Sequence, residues 1–206
     1  MTVTRRAVLL AAVTGAAVAC SGGSHPHVAP TTTTTTSTTL PGAPQPSGDL
    51  AVASRAAAVE NAVAAAYGSL LGLSRLAPLP AGLKALWQTF ESHHRDHALA
   101  WNAILTAGGE PVVTSNDPAL SATVAPGLAA VKDIDGAIGV IAGIERTLAA
   151  TYLVAVEGTL TTTGALETAA AIQPIELQHA AMLDVLTGSD PVPASFATTA
   201  GAITLS

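Results

Sequence analysis

A single cysteine, two tryptophans, two tyrosines and two phenylalanines are all that the 206-residue chain has of those residue types. With no second cysteine, no disulfide can staple the fold. Aromatic residues are scarce and β-branched runs are few outside one Thr-rich stretch, while alanine is abundant, so the composition favours closely packed helices over sheets. Basic residues are also scarce, eight Lys and Arg against fourteen Asp and Glu. Arg5 and Arg6 belong to the leader described below. Without them six basic side chains face fourteen acidic ones, a net charge near −8. That balance excludes nucleic acid, whose phosphates need a positive surface. No Gly-x-Ser-x-Gly elbow occurs, and the one cysteine is claimed by other chemistry, so a serine or cysteine nucleophile has no support.

The N-terminus has the form of an export signal. Arg5-Arg6 precede an apolar run, Ala7 to Ala19, that is too short to stay in a bilayer as a spanning helix. A charged start and small residues before Cys20 mark residues 1–19 as a cleavable secretory peptide. The triplet Ala17-Val18-Ala19 before Cys20 resembles the bacterial lipoprotein box. That resemblance implies cleavage before Cys20, lipid on its thiol, and anchorage to the outer face of the cytoplasmic membrane in the cell envelope. An ordinary signal peptide with an incidental cysteine is the alternative. Thr4-Arg5-Arg6 also resembles a twin-arginine signal, which carries folded proteins and would suit a metal loaded in the cytoplasm; the ordinary secretory route stays open beside it.

Residues 20–48 are a tether. Thr31 to Thr36, Pro41, Pro44 and Pro46 leave almost nothing to bury, so the stretch is expected to be an extended, unfolded spacer. His25 and His27 lie in it, either as solvated linker residues or as adventitious metal ligands. The 158 residues from Asp49 to Ser206 suffice for one domain with a real core.

Four helices are expected there. The first spans about Asp49 to Leu76, with an apolar stripe of Val52, Ala56, Val59, Val63, Tyr67 and Leu70, and Glu60 at the stripe's edge. Pro78 and Pro80 break it, and the short connection returns the second helix antiparallel. That helix spans about Ala81 to Ala107 and stops at Gly108-Gly109. At about 100° per residue, His94 lies near the centre of the face made by Leu83, Trp87, Phe90, Trp101 and Leu105. His97 lies about 60° to one side and Glu91 about 60° to the other, while His93, Arg95 and Asp96 point away. Two inward histidines at i and i+3 can reach one metal ion or can form a hydrogen-bonded pair.

Gly108 to Pro126 is expected to be a long loop, letting two consecutive helices run the same way on opposite sides of a bundle. The third helix is expected from about Gly127 to Leu160, with Glu145 inside a stripe of Ile134, Ile138, Ile141, Leu148 and Tyr152, and Glu157 in solvent. The fourth spans about Ala165 to Thr187 and carries Glu176-x-x-His179 on the side of Ile172, Ile175, Met182, Leu183 and Leu186. Pro174 within it removes a backbone bond and predicts a kink. Residues 189–206 form a tail with no motif.

The halves repeat. Val59 to Tyr67 matches Ile144 to Tyr152 in the Glu, two alanines and the Tyr, and His97 to Thr106 matches His179 to Thr187 with one residue inserted. The ligand-type residues therefore recur in the order Glu, x-x-His, Glu, Glu-x-x-His. A glutamate and a histidine turned into an apolar interior cost several kcal/mol, roughly, unless they find partners. Two hairpins related by a pseudo-twofold would supply them, with Tyr67 and Tyr152 as supporting donors or plain core residues.

On Glu60 to Tyr67, His93 to Ala98, Gly108-Gly109 with Pro111, Glu145 to Tyr152 and Glu176-x-x-His179, the chain resembles a ferritin-like domain of the bacterial secreted and lipoprotein branch, over about Ala51 to Gly188. The resemblance implies a left-handed four-helix bundle with one long crossover between its second and third helices. It also implies two irons or manganeses between the helices. Glu60 and Glu145 would be terminal carboxylates, Glu176 a bridging one, and His97 and His179 would each hold one metal. One departure matters: His94 stands where the family pattern has Glu, and an imidazole cannot bridge two ions as a carboxylate does. Three Glu and three His, with Glu91 as a further ligand if it swings in, leave open a single metal, an uneven pair, or an imidazole-preferring ion such as zinc or copper. The function implied is an exported metal-binding redox protein acting on iron or peroxide. The alternative is a non-catalytic envelope lipoprotein whose bundle is a structural or binding module. The sequence leaves the oligomeric state open.

Overall fold

A computed structural model describes residues 46–205. The leader, Cys20, His25 and His27 lie outside the described residues. The described residues contain helices and no strand. Helix α1 spans Asp49–Leu71 and is followed by a 3₁₀ turn, Ser74–Leu76. Helix α2 spans Ala81–Ala107, α3 spans Pro118–Ala130, α4 spans Ile134–Val154 and α5 spans Thr163–Thr187. The four long ones, α1, α2, α4 and α5, make a bundle, with α1 packed on α2 and α4 on α5 as hairpins.

Side-chain pairs fix the directions. Leu50, at the start of α1, lies against Gly108 at the end of α2, so these two run antiparallel. A Cβ on Gly108 would sit 2.5 Å from a Leu50 methyl, which explains glycine at that approach. Tyr67 meets Glu145 while Tyr152 meets Glu60, so α1 and α4 are antiparallel. His93 meets His179 while His97 meets Glu176, so α2 and α5 are antiparallel too. It follows that α2 and α4 run the same way, and the chain between them must travel the bundle's length.

That crossover is not the bare loop expected from its prolines. It contains α3, which also means that the third long helix starts at Ile134 rather than Gly127. Asp117 caps α3, its carboxylate accepting from Leu120 N at 2.7 Å, and Pro118 fills the first turn, where no N–H is needed. Asn116-Asp117-Pro118 is thus a helix start as much as a loop signal. The crossover is held along α1: Asp117 N donates to Ala58 O at 2.8 Å, and Arg75 donates to Leu128 O at 3.0 Å. Asn102 of α2 pairs with Val113 in both directions, at 3.0 and 2.7 Å.

Two further boundaries differ from the periodicity. Helix α1 ends at Leu71, capped by Gly72, because Pro78 and Pro80 need an extended approach. Helix α4 ends at Val154 in a wider π turn, Ala155–Thr159. Helix α5 runs unbroken through Pro174 and stops at Gly188, whose φ of 77° is a left-handed cap. Met182, expected inside, is on the exposed side of α5. The tail folds back on α4, with Ile203 N donating to Thr151 Oγ1 at 3.0 Å and Leu205 buried. The segment Ile134–Thr159 is long and apolar enough to cross a membrane, but 61% of its window is buried inside the bundle, as for a core helix.

Asp49 ties the open end of the bundle together. Its carboxylate accepts from Thr162 N and Thr162 Oγ1, both at 2.6 Å, and from Thr161 N at 3.1 Å. The start of α1 is thereby joined to the residue that precedes α5. Asp49→Ala strands these donors, and we expect a loss of about 1–3 kcal/mol, read as a lower urea midpoint at unchanged slope.

Candidate metal centre

The four long helices bring Glu60, His94, His97, Glu145, Glu176 and His179 to one place. Each helix contributes through its own apolar stripe: α1 and α4 each carry one Glu, α2 carries two His, and α5 carries the Glu-x-x-His pair. Glu60, His94, Glu145 and Glu176 are completely buried, and His97 keeps 13% of its side chain exposed.

The groups form two overlapping sets. Glu60, His94, His97 and Glu176 make one, and His94, Glu145, Glu176 and His179 make the other. In the first, His94 Nδ1 is 2.8 Å from Glu60 Oε2, and His97 Nδ1 is 2.9 Å from Glu176 Oε1. In the second, His94 Nε2 is 3.2 Å from Glu145 Oε1, and His179 Nδ1 is 3.4 Å from Glu145 Oε2 and 3.5 Å from Glu176 Oε2. Two side chains therefore belong to both sets. Glu176 turns one oxygen to His97 and the other to His179, the bridging position that the family resemblance implies. His94 lies across the middle with one ring nitrogen in each set.

Tyrosines cross between the repeats. Tyr67 donates to Glu145 Oε1, and Tyr152 donates to Glu60 Oε1. Each repeat's phenol thus serves the other repeat's carboxylate. Trp101 Nε1 donates to Tyr152 at 3.1 Å and stacks on its ring, while Tyr67 stacks on His94. Burial, reinforced by the adjoining carboxylates, pushes both phenols well above the ordinary tyrosine range, so both remain donors.

Two of the expected placements need correction. Glu91 lies outside both sets: it pairs with Arg95 one turn along α2 and lies against Gly68 of α1. Its position on the flank of the face sends it to the edge of the α1–α2 seam, where an arginine is in reach. His93 does not point away. Its Nδ1 is 2.9 Å from His179 Nε2, and the rings stack 5.2 Å apart. A helical wheel places His93 off the α2 face, but α5 packs on that flank and meets it. Phe90, 3.9 Å from the His179 ring centre, completes the sandwich. The signal was present in the neighbouring pair His93-His94, which on any helix presents one imidazole to each of two adjacent seams. A cavity of about 610 Å³ between the tail and α4–α5 is lined by none of the six residues.

Charge decides how this core rests without an ion. Burial alone would depress the His94 imidazole, but the carboxylates of Glu145 and Glu176 and its bonds to Glu145 and Glu60 hold it well above the usual histidine range. Burial would raise Glu60 and Glu145, and the facing histidines outweigh it, lowering both. Glu176 goes the other way: burial and the charges of Glu60 and Glu145 raise it well above the carboxylate range, against the pull of His94. These directions favour the charged forms of His94, Glu60 and Glu145 and the neutral form of Glu176.

Three buried atoms remain outside this scheme. His97 Nδ1, Glu176 Oε1 and Glu176 Oε2 have no hydrogen-bond partner, although the first two are 2.9 Å apart. They are close but not aligned along an N–H direction. Neighbouring ligands on an ion with bonds of about 2.1 Å sit about 3 Å apart when their angle is near 90°. Orphaned lone pairs at that spacing, in a set of carboxylates and imidazoles, fit a transition-metal ion. The family model described as "Ferritin-like domain" matches residues 48–189, which is the whole bundle. No curated protein and no solved structure matches the chain.

The protonation pattern sets a pH dependence. His94 is raised in the fold, so its contribution is full below the unfolded value of 6.5 and is lost as pH rises through its folded value. Glu60 and Glu145 are lowered, so theirs is present above 4.5 and lost as pH falls through their folded values. Metal-free protein is therefore expected to lose stability as pH rises beyond about 6.5, in urea titrations across pH 6–10, and His94→Gln should flatten that decline.

Proposed function

The chain belongs to the ferritin-like domain family, and from that membership and the geometry of its core we propose that it is an exported, lipid-anchored protein that binds transition metal inside the bundle. The observation that carries the reading is the convergence of six carboxylate and imidazole side chains from four helices on two overlapping sets of metal-ligand type. A buried polar atom left without a hydrogen bond costs about 1–3 kcal/mol, and an ion in the first set would partner two of them, His97 Nδ1 and Glu176 Oε1. Either set would hold an ion, Glu60, His94, His97 and Glu176 or His94, Glu145, Glu176 and His179, for one or two ions per chain. A bound iron or manganese would supply redox chemistry toward oxygen or peroxide; zinc or copper would suit the histidine-rich set.

The chain's own residues do the positioning. Tyr67 and Tyr152 each occupy one oxygen of a carboxylate and leave the other directed at the histidines. His93 and Phe90 hold the His179 ring edge-on to the core. The partly open His97 is the one ligand-type residue of the six with measurable exposure of its side chain beyond a few per cent, so the centre meets solvent at α2. The amino-terminal leader supports the placement: lipid on Cys20, followed by a Thr- and Pro-rich tether, would hold the bundle at the outer face of the cytoplasmic membrane. Iron oxidation or peroxide removal at the envelope is the activity that this combination suggests.

A second reading is favoured by one observation. His94 donates to Glu60 and to Glu145 at once, so most of the core is satisfied with no ion present. On that reading the bundle is a structural or binding module of an envelope lipoprotein. Metal analysis separates the two. We expect at least one transition-metal ion per purified chain, absent in His97→Ala/His179→Ala. Added metal at a hundred times its Kd should stabilise the native chain by about 2.7 kcal/mol, a rise of several degrees in Tm. A metal-free protein whose Tm ignores iron, manganese, zinc and copper would be the structural module.

A further inference from the structure

We propose that the bundle holds one metal ion per chain, seated among Glu60, His94, His97 and Glu176, because His94 has a single lone pair that the two sets must share. The inference rests on the metal-binding reading and sharpens it.

The His94 ring spans the core, with Nδ1 2.8 Å from Glu60 and 3.9 Å from Glu176, and Nε2 3.2 Å from Glu145. A neutral imidazole has one nitrogen with a free lone pair and one with a proton. Whichever nitrogen takes an ion, the other presents N–H to the opposite carboxylate. An ion on Nδ1 leaves Nε2–H donating to Glu145 Oε1, a contact already made. A glutamate at this position would have a lone-pair oxygen for each ion. The imidazole has one donor atom for two claimants.

The two sets are not equivalent claimants. Spacing does not separate them: the first set runs from 2.8 to 3.9 Å and the second from 3.2 to 3.5 Å, both around the edge of about 3.3 Å expected for a tetrahedron with bonds of about 2.0–2.1 Å. Hydrogen bonding does. Two ligand atoms of the first set, His97 Nδ1 and Glu176 Oε1, have no hydrogen bond to give up. The second set has more hydrogen bonds to break, with Glu176 Oε2 its one unpartnered atom. His93 Nδ1–H can donate to His179 Nε2, His179 Nδ1–H to Glu145 Oε2, and Tyr67 to Glu145 Oε1. An ion there would have to break that chain and also claim the His94 lone pair.

The test is the number of ions bound. Full-length protein in detergent, stripped with chelator, is titrated with cobalt(II), and visible absorption is followed together with elemental analysis of the washed protein. The native chain should saturate at one equivalent, with the intense absorption of a tetrahedral site, and His97→Ala should lose that band. His94→Glu, which restores a two-oxygen bridge, should saturate at two. Two equivalents in the native chain would overturn the inference while leaving metal binding intact, and so would one equivalent in folded His94→Glu. No uptake by the native chain would remove the metal-binding reading itself. If His94→Glu fails to fold, the native end point decides alone.

Discussion

Everything in this bundle is arranged around one imidazole held between two carboxylates from opposite hairpins. Taking charges out of water costs several kcal/mol each, roughly, and the cost is recovered only when each finds a partner in good geometry. His94 on α2 meets that condition by bonding Glu60 of α1 and Glu145 of α4 at once. The contact is therefore long-range in sequence and cannot form until both hairpins are in place. Truncating His94 leaves two buried carboxylates without their cation, and truncating either carboxylate leaves one ring nitrogen of His94 without its partner. A cavity of the same size in an apolar core would cost less, because nothing charged would remain in it.

The crossed tyrosines carry the same dependence outward. Tyr67 and Glu60 lie two turns apart on α1, yet each is bonded to α4 rather than to its own helix. The exchange works only if α1 and α4 are antiparallel and in register to within a turn. That register in turn requires a connection from α2 to α4 as long as the bundle, which α3 and the strapped segment around Val113 supply. Topology and site are thus one constraint. A short loop after α2 would reverse α4, carry Tyr152 away from Glu60, and leave two buried carboxylates without donors.

How much of this was legible in the sequence follows from what periodicity can express. The apolar stripes of α1, α2 and α4 predicted most of their buried faces, with Ile134 of α4 only half-buried, and the internal repeat singled out Glu60 and Glu145, which alone look like boundary residues. The six-residue cluster was therefore readable, because repetition reports the partner that a single helix cannot. What was not readable depends on which neighbour lies across each seam. On a wheel centred on His94, Glu91 lies about 60° to one side and His93 about 100° to the other, so the wheel favours the wrong one. His93 meets His179 across the α2–α5 seam; Glu91 meets Arg95 and the glycine of α1. Met182 fails for a similar reason: α5 has its Glu and His on a narrow strip, so residues at the strip's margin face solvent. The helix inside the crossover was hidden by prolines that signal a turn when read singly and a helix start when read with Asp117.

The same geometry also bears on what metal uptake would require of the fold. The imidazolium sits where a cation would sit, and its proton satisfies the carboxylates that a cation would satisfy. Replacing protons by an ion exchanges one positive charge for another among the same atoms, already about 3 Å apart. No helix needs to move, and the crossed tyrosines keep their carboxylates throughout. The competition is then between an ion and protons on His94 and Glu176, both of which the fold holds above their ordinary values. A site built in this way would take up metal more tightly as pH rises, while the empty bundle grows weaker. The ion would then stabilise most where the protonated core stabilises least, so that one packing arrangement serves both states.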